Sequence, residues 1–375
     1  MNPSPLRRIR LGFVPLSDCA PLVVARKLDL GARYGLELDL QKQASWTSIR
    51  DKLIDGRLDA AHCLYGMVYG MDLGLGSPAE AMAVLIALNR NGQGITLSCP
   101  LSDEIAAGAS LAEIAKRRQL VFAHTFPTGT HAMWLHYWLA AQRINPLRDV
   151  RMVVIPPPQM SEALASGLLD GFCAGQPWHA VAAARGLGRL CAHSSEIWPD
   201  HPEKVLACRR SWIDEDPARA TDLCRVLLEA CRWLQTPVHR SQAAHWLAEE
   251  GYLGVPGELI DAQWQSLLPG GPLEASFFAD GAVNYPYLSD GLWFLSQFQR
   301  WGMVEADPAA LERVRAVQQT ELYTTAARSL GIAVPTAANR HSVLIDGVPW
   351  QGEEAGAYAS GFAIRAGTAT GSRAP

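Results

Sequence analysis

The stretch Leu11 to Leu30, LGFVPLSDCAPLVVARKLDL, reads as strand, turn and helix in direct succession. Ile9, Leu11 and Phe13 alternate as one face of a strand, and Asp18 stands where it can cap the helix that follows. After the Tyr34-Gly35 turn, Leu36, Leu38 and Leu40 alternate again, which completes a βαβ unit. The residues ahead of Leu11 include Pro3, Pro5, Arg7, Arg8 and Arg10, so they do not form the apolar core of a secretory signal. The expectation is a cytoplasmic α/β protein.

Outward from that unit the alternation continues. Short apolar segments at Asp59 to Cys63, Met82 to Leu88, Leu120 to Ala123, Arg151 to Ile155 and Asp170 to Ala174 are separated by helical patterns at Ile49 to Ile54, His131 to Gln142 and Gln159 to Ser166. That order predicts parallel-rich sheets covered by helices. Beyond about Pro202 the chain turns helix-rich. Asp216-Pro217 supplies a cap and first-turn proline for a helix with Leu223, Val226, Leu227, Ala230 and Leu234 on one face, and Asp307-Pro308 starts another. The expected organisation is a first lobe over 1–90, a second over 91–202, a return to the first with C-terminal helices over 203–331, and a tail wrapping as loops over 332–375.

With 375 residues, 49% of them hydrophobic, the chain can bury a substantial core. A formal charge of −4 with no basic block argues against direct nucleic-acid binding, and no apolar run is long enough to span a bilayer. The eight cysteines form no CxxC pair and read as buried structural thiols. There is no HExxH or paired Cys/His spacing, no GxxxxGK[ST] loop and no GxSxG elbow, so neither metal, nucleotide nor other cofactor is expected. His62 and Cys63 are adjacent on a strand and point to opposite faces, which excludes them as a catalytic pair. The five lysines, Lys27, Lys42, Lys52, Lys116 and Lys204, read as solvated surface.

Several segments, in order, carry a family resemblance: QASWTSIRD (Gln43 to Asp51), LDAAH (Leu58 to His62), NGQGI (Asn91 to Ile95), AHTFP (Ala123 to Pro127), WPDHPE (Trp198 to Glu203) and NYPYLSDGLWF (Asn284 to Phe294). Together they resemble the nitrate- and bicarbonate-binding proteins of bacterial ABC transporters. The resemblance implies a bilobal α/β fold of the type II periplasmic-binding-protein kind, closing on a small ligand in the cleft. Lacking a recognisable export signal, the chain looks most like the cytoplasmic nitrate and nitrite sensors of the NasS type. Such a sensor sequesters an RNA-binding antiterminator response regulator of the NasT type until ligand arrives. Two alternatives stay open: a nitrate- or bicarbonate-binding component of a transporter, and an enzyme like the thiamine-pyrimidine synthase that shares the fold and needs a reactive lysine in a His-rich site.

The same resemblance assigns ligand-binding residues. Trp46, flanked by Ser45 and Thr47 at the start of a helix, offers an indole N–H beside a helix N-terminus; without the resemblance it would read as a core tryptophan. Asn91 takes the position of an amide that contacts the anion in the relatives, with Gln93 as a weaker neighbour. His124 and Thr125 stand at a strand-to-helix switch, where a core histidine would be the plainer reading. Pro199 occupies the place of a lysine that faces the anion in transporters, so a fixed positive charge is expected to be missing from the site.

Overall fold

The computed structural model describes residues 6–265 and 275–367. Strand β1 (Arg7–Phe13) runs parallel to β2 (Leu36–Lys42) and β3 (Ala60–Leu64), because the first helix, α1 (Ala20–Lys27), returns the chain to the same edge. With β4 (Met82–Ala87) and β10 (Lys204–Arg209) these strands form a sheet in the order β2-β1-β3-β10-β4. The intervening strands β5 (Gln93–Ser98), β6 (Leu120–His124), β7 (Val150–Val154), β8 (Gly171–Gly175) and β9 (Gly188–His193) form a second sheet, β7-β6-β8-β5-β9. The fold is therefore bilobal α/β of the type II periplasmic-binding kind.

In each sheet the strand entered on crossing from the other lobe is the antiparallel one. β5 opposes β8 and β9, and β10 opposes β3 and β4. The expectation of parallel-rich sheets is corrected accordingly: β5 and β10 were not legible as strands, and they account for the antiparallel pairs. Asp18 does not cap α1 either; its side chain is buried and turned to the cleft.

The two crossings lie side by side. Asn91 N–H donates to the His201 carbonyl at 3.2 Å, Glu203 N–H to the Asn89 carbonyl at 3.2 Å, and Lys204 N–H to Asn89 Oδ1 at 3.1 Å. Asn91 (φ 57°) and Gly92 (φ 85°) take the left-handed conformations that turn the chain into β5.

The C-terminal half covers these lobes with helices. Pro217–Trp233 begins as its sequence requires: Asp216 accepts from Arg219 N–H at 3.0 Å, and Leu223, Val226 and Leu227 are buried. Helix Leu288–Arg300 bridges the lobes through Trp293, whose ring lies 4.9 Å from Trp134 and 5.0 Å from Trp198. The tail is more ordered than a set of loops: Ser342–Val343 pairs with Pro349–Trp350, and Ala355–Ser360 is helical. It fastens back through Arg340 Nε on Asp290 Oδ1 (2.7 Å), Ile345 N–H on the Ile197 carbonyl (2.8 Å) and Trp350 Nε1–H on the Ser289 carbonyl (2.9 Å).

The lobes meet tightly along a seam of glycines. In helix α3 (Tyr65–Asp72), a Cβ at Gly66 would lie 2.3 Å from the Thr128 carbonyl oxygen, and one at Gly70 would lie 2.4 Å from Thr128 Oγ1. Hydrogen bonds cross nearby: Ser17 N–H to the Gln176 carbonyl, and Trp178 Nε1–H to the Pro15 carbonyl, both at 2.8 Å. Among the described residues no helix is long and apolar enough to cross a membrane.

Candidate functional site

Where the crossings meet the seam, the chain buries a cluster of charged and polar side chains. Lys204, the first residue of β10, has no solvent exposure; its Nζ lies 2.8 Å from Asp18 Oδ2 and 2.7 Å from Glu203 Oε1. This overturns the reading of Lys204 as solvated surface. A buried ammonium must be paired, and both partners come from distant or loop positions that periodicity does not connect. The fixed positive charge missed at Pro199 is thus present in Lys204. Pro199 itself is exposed and has no N–H to donate, so it stands outside the cluster.

Every oxygen of the two carboxylates has a protein donor. Asp18 Oδ1 faces His62 Nε2 at 2.7 Å, while its Oδ2 takes Lys204 and Gln93 Nε2 (3.3 Å). Glu203 Oε1 accepts from Lys204 and Thr130, and Oε2 from Trp134 Nε1–H at 2.7 Å. Burial pushes the Asp18 carboxyl up, but Lys204 and His62 outweigh it and hold the group below its ordinary range. For Lys204 burial pulls down, and Asp18 with Glu203 keeps the ammonium protonated. Glu203 is raised by burial against the pull of Lys204.

Gln93 opens β5 in the second lobe and closes the circuit. Its Nε2 also donates to the Asn91 carbonyl at 3.2 Å, and its Oε1 accepts from His131 Nε2 at 2.7 Å. His131 Nδ1 then takes the Thr125 hydroxyl at 2.6 Å. Burial keeps His131 well below its ordinary pKa and therefore neutral.

Trp46 is the first residue of α2 (Trp46–Ile54), which Ser45 caps by accepting from Ser48 N–H at 3.2 Å. Its ring sits 5.4 Å from that of His62 and 5.9 Å from Lys204 Nζ. Trp46 is buried, yet among the described residues its Nε1–H has no hydrogen-bond partner, and neither does His62 Nδ1. An unpartnered indole donor beside a buried ammonium is a site that favours an acceptor-only anion. Thr47, the chain neighbour of Trp46, lines a cavity of 420 Å³ together with Arg50 and Leu75 from its own lobe and Phe126, Thr128 and Val154 from the other.

Of the residues expected from sequence, the contacts join Trp46, Gln93 and Thr125. Asn91 and Gln93 exchange emphasis: the Asn91 amide donates to Asp200 Oδ1 at 3.4 Å, while its backbone carbonyl positions Gln93. His124 ends β6 with its ring edge-on to His136 at 6.1 Å, and burial takes its pKa down to about 4. Asp18, His62, His131, Glu203 and Lys204 were missed. The available signal was a lysine leading an apolar run, Lys204 to Cys208, two residues after Pro202.

A family model described as the NMT1-like family matches residues 2–248. The chain belongs to the NMT1-like family. Similar proteins include nitrate/nitrite binding proteins and a bicarbonate transport ATP-binding protein. The nitrate/nitrite binding protein NrtA of Nostoc sp. PCC 7120 is 33% identical over 96% of this chain and 86% of its own length. The bicarbonate transport ATP-binding protein CmpC of Synechococcus elongatus is 36% identical over 95% of this chain, which spans 55% of that longer protein. The crystal structure of the periplasmic nitrate-binding protein NrtA from Synechocystis PCC 6803 superimposes with a TM-score of 0.90 at 31% identity, covering 95% of this chain and 98% of that one.

The enzyme alternative requires a reactive lysine, and this NMT1-like chain does place a lysine among histidines. A Schiff-base lysine acts as a neutral amine. Lys204 is instead an ammonium clamped between Asp18 and Glu203, so it is a fixed charge rather than a nucleophile.

Proposed function

We propose that the chain is a binding protein that takes nitrate or nitrite between its lobes, and that the closed, liganded form releases an RNA-binding antiterminator in the cytoplasm. The observation that carries the anion reading is the buried Lys204 ammonium beside the unpartnered Trp46 indole N–H, at the seam where both lobes contribute side chains. The similarity to NrtA proteins over almost the whole chain supports the same ligand class.

Similarity to CmpC favours bicarbonate as a second reading. Bicarbonate carries an O–H that calls for an acceptor, whereas nitrate and nitrite only accept. Every oxygen of Asp18 and Glu203 already has a protein donor, but His62 Nδ1 is an acceptor open to a bicarbonate O–H, so titration separates the two readings.

Calorimetric titration with nitrate, nitrite, bicarbonate, chloride and sulfate tests the ligand. Saturable heat for nitrate or nitrite is expected; heat for bicarbonate alone transfers the site to the second reading. For the sensor role, the chain and an RNA-binding antiterminator should co-elute from a sizing column without nitrate and separate with it. Separation that ignores nitrate removes that role.

A further inference from the structure

Resting on the anion reading above, the charge inventory of the cluster leads one step further. Asp18, Glu203 and Lys204 together carry two negative charges and one positive, and none has appreciable contact with solvent. A monoanion entering here adds a second uncompensated negative charge to a buried site, which the protein must neutralise from its own groups or from solution. The question is which group is placed to accept a proton.

His62 is that group. Asp18 faces it from the first βα turn, Lys204 from β10 and the indole of Trp46 from α2. One step back, Glu203 lies behind Lys204, and Gln93 of the other lobe reaches the same Asp18 with His131 bonded behind it. With Asp18 ionised, His62 Nε2 carries the proton donated to it, so the unpartnered Nδ1 is a lone pair. A lone pair facing an anion repels it; an N–H there attracts it. His131 is differently placed, since both its ring nitrogens already have partners.

We propose that anion binding is proton-coupled: one proton from solution adds to His62 Nδ1 as the anion enters, turning a repelling lone pair into a third donor beside Trp46 and Lys204. Burial keeps the free imidazole neutral, with Asp18 pulling the other way, so the proton is absent until the anion supplies the compensating charge. The ligated pKa of His62 lies above the free one. Affinity therefore falls as pH rises, by about tenfold per pH unit between those two values.

The test is nitrate calorimetry on the full chain at pH 7 in buffers of different ionisation enthalpy. The dependence of observed heat on buffer gives the protons taken up: a value near one is expected, together with weaker binding at pH 8 than at pH 7. His62→Gln retains an amide donor toward Asp18 and does not titrate, so its binding should be weaker at pH 7, buffer-independent and flat with pH. Nitrate binding with no proton uptake in the native chain overturns the coupling while leaving the anion reading intact. Uptake that persists in His62→Gln overturns the assignment to His62. Should that variant fail to fold, ¹⁵N-histidine spectra of the native chain decide: nitrate must convert one neutral ring to imidazolium, and no such conversion overturns the proposal. Absence of nitrate heat at every pH removes the anion reading and the coupling with it.

Discussion

Replacing Lys204 by Met removes the cation that two buried carboxylates share, while keeping the length and apolar stem of the side chain. Asp18 and Glu203 are then left without their nearest countercharge, at 2.8 and 2.7 Å in the native chain. Breaking a buried pair by deleting one partner costs about 3–5 kcal/mol. At roughly 2–4 °C per kcal/mol for a unit of 150–250 residues, the melting temperature at pH 8 should drop by roughly 6–20 °C. The pH dependence gives the sharper check. In the native chain the Asp18 pKa is depressed, so its contribution is present above the unfolded value of about 3.9 and is lost as pH falls through the folded value. In Lys204→Met the orphaned carboxyls have raised folded pKa values, so acidification relieves the variant. Thermal melts from pH 8 to pH 5 should show the gap between the two proteins narrowing. A variant as stable as the native chain at pH 8, or a gap independent of pH, would refute the clamped-ammonium account.

Trp46→Phe keeps a buried aromatic ring and deletes the unpartnered N–H; nitrate affinity measured on the folded variant should fall roughly tenfold, about 1–1.5 kcal/mol. Gly175→Ala would put a Cβ 2.5 Å from Gln93 Oε1 and 3.0 Å from Leu16 Cδ2 across the cleft. If that overpacking of about 1–3 kcal/mol falls on the closed form, nitrate should bind about 5- to 150-fold more weakly, and small-angle scattering should show a more open molecule. His124, His136, His179 and His201 are buried, with pKa values lowered by desolvation to about 4, 3, 4 and 3. Depressed histidines stabilise above their unfolded pKa and lose that contribution as pH falls, by about 1.4 kcal/mol per pH unit for each. Native-chain melting temperature should accordingly decline steeply from pH 6.5 toward 4, and a flat profile would contradict their burial as neutral rings.

The sequence announces the elements whose signals are local. Ile9, Leu11 and Phe13 are buried on β1, and the Asp216-Pro217 start of its helix is built as the residues require. β5 was hidden because Asn91 to Gly94 has turn composition: the left-handed pair Asn91-Gly92 is the turn, and the strand begins at the next residue. β10 was hidden because a charged residue opens it. Trp46 and Thr125 came from the family resemblance, whereas Asp18, His62 and Lys204 depend on contacts among four separate chain segments. Burial of a charge is decided by what the folded chain brings to it, and no window of sequence contains that information.

The placement of Lys204 and Gln93 as the opening residues of the two crossover strands puts the ligand chemistry at the fulcrum of the clamshell. A fulcrum has little travel, so sub-ångström rearrangement of ion pairs there is read out as a much larger displacement at the outer rims. The rims can consequently differ in sequence without disturbing the ion pairs that Lys204 makes with Asp18 and Glu203.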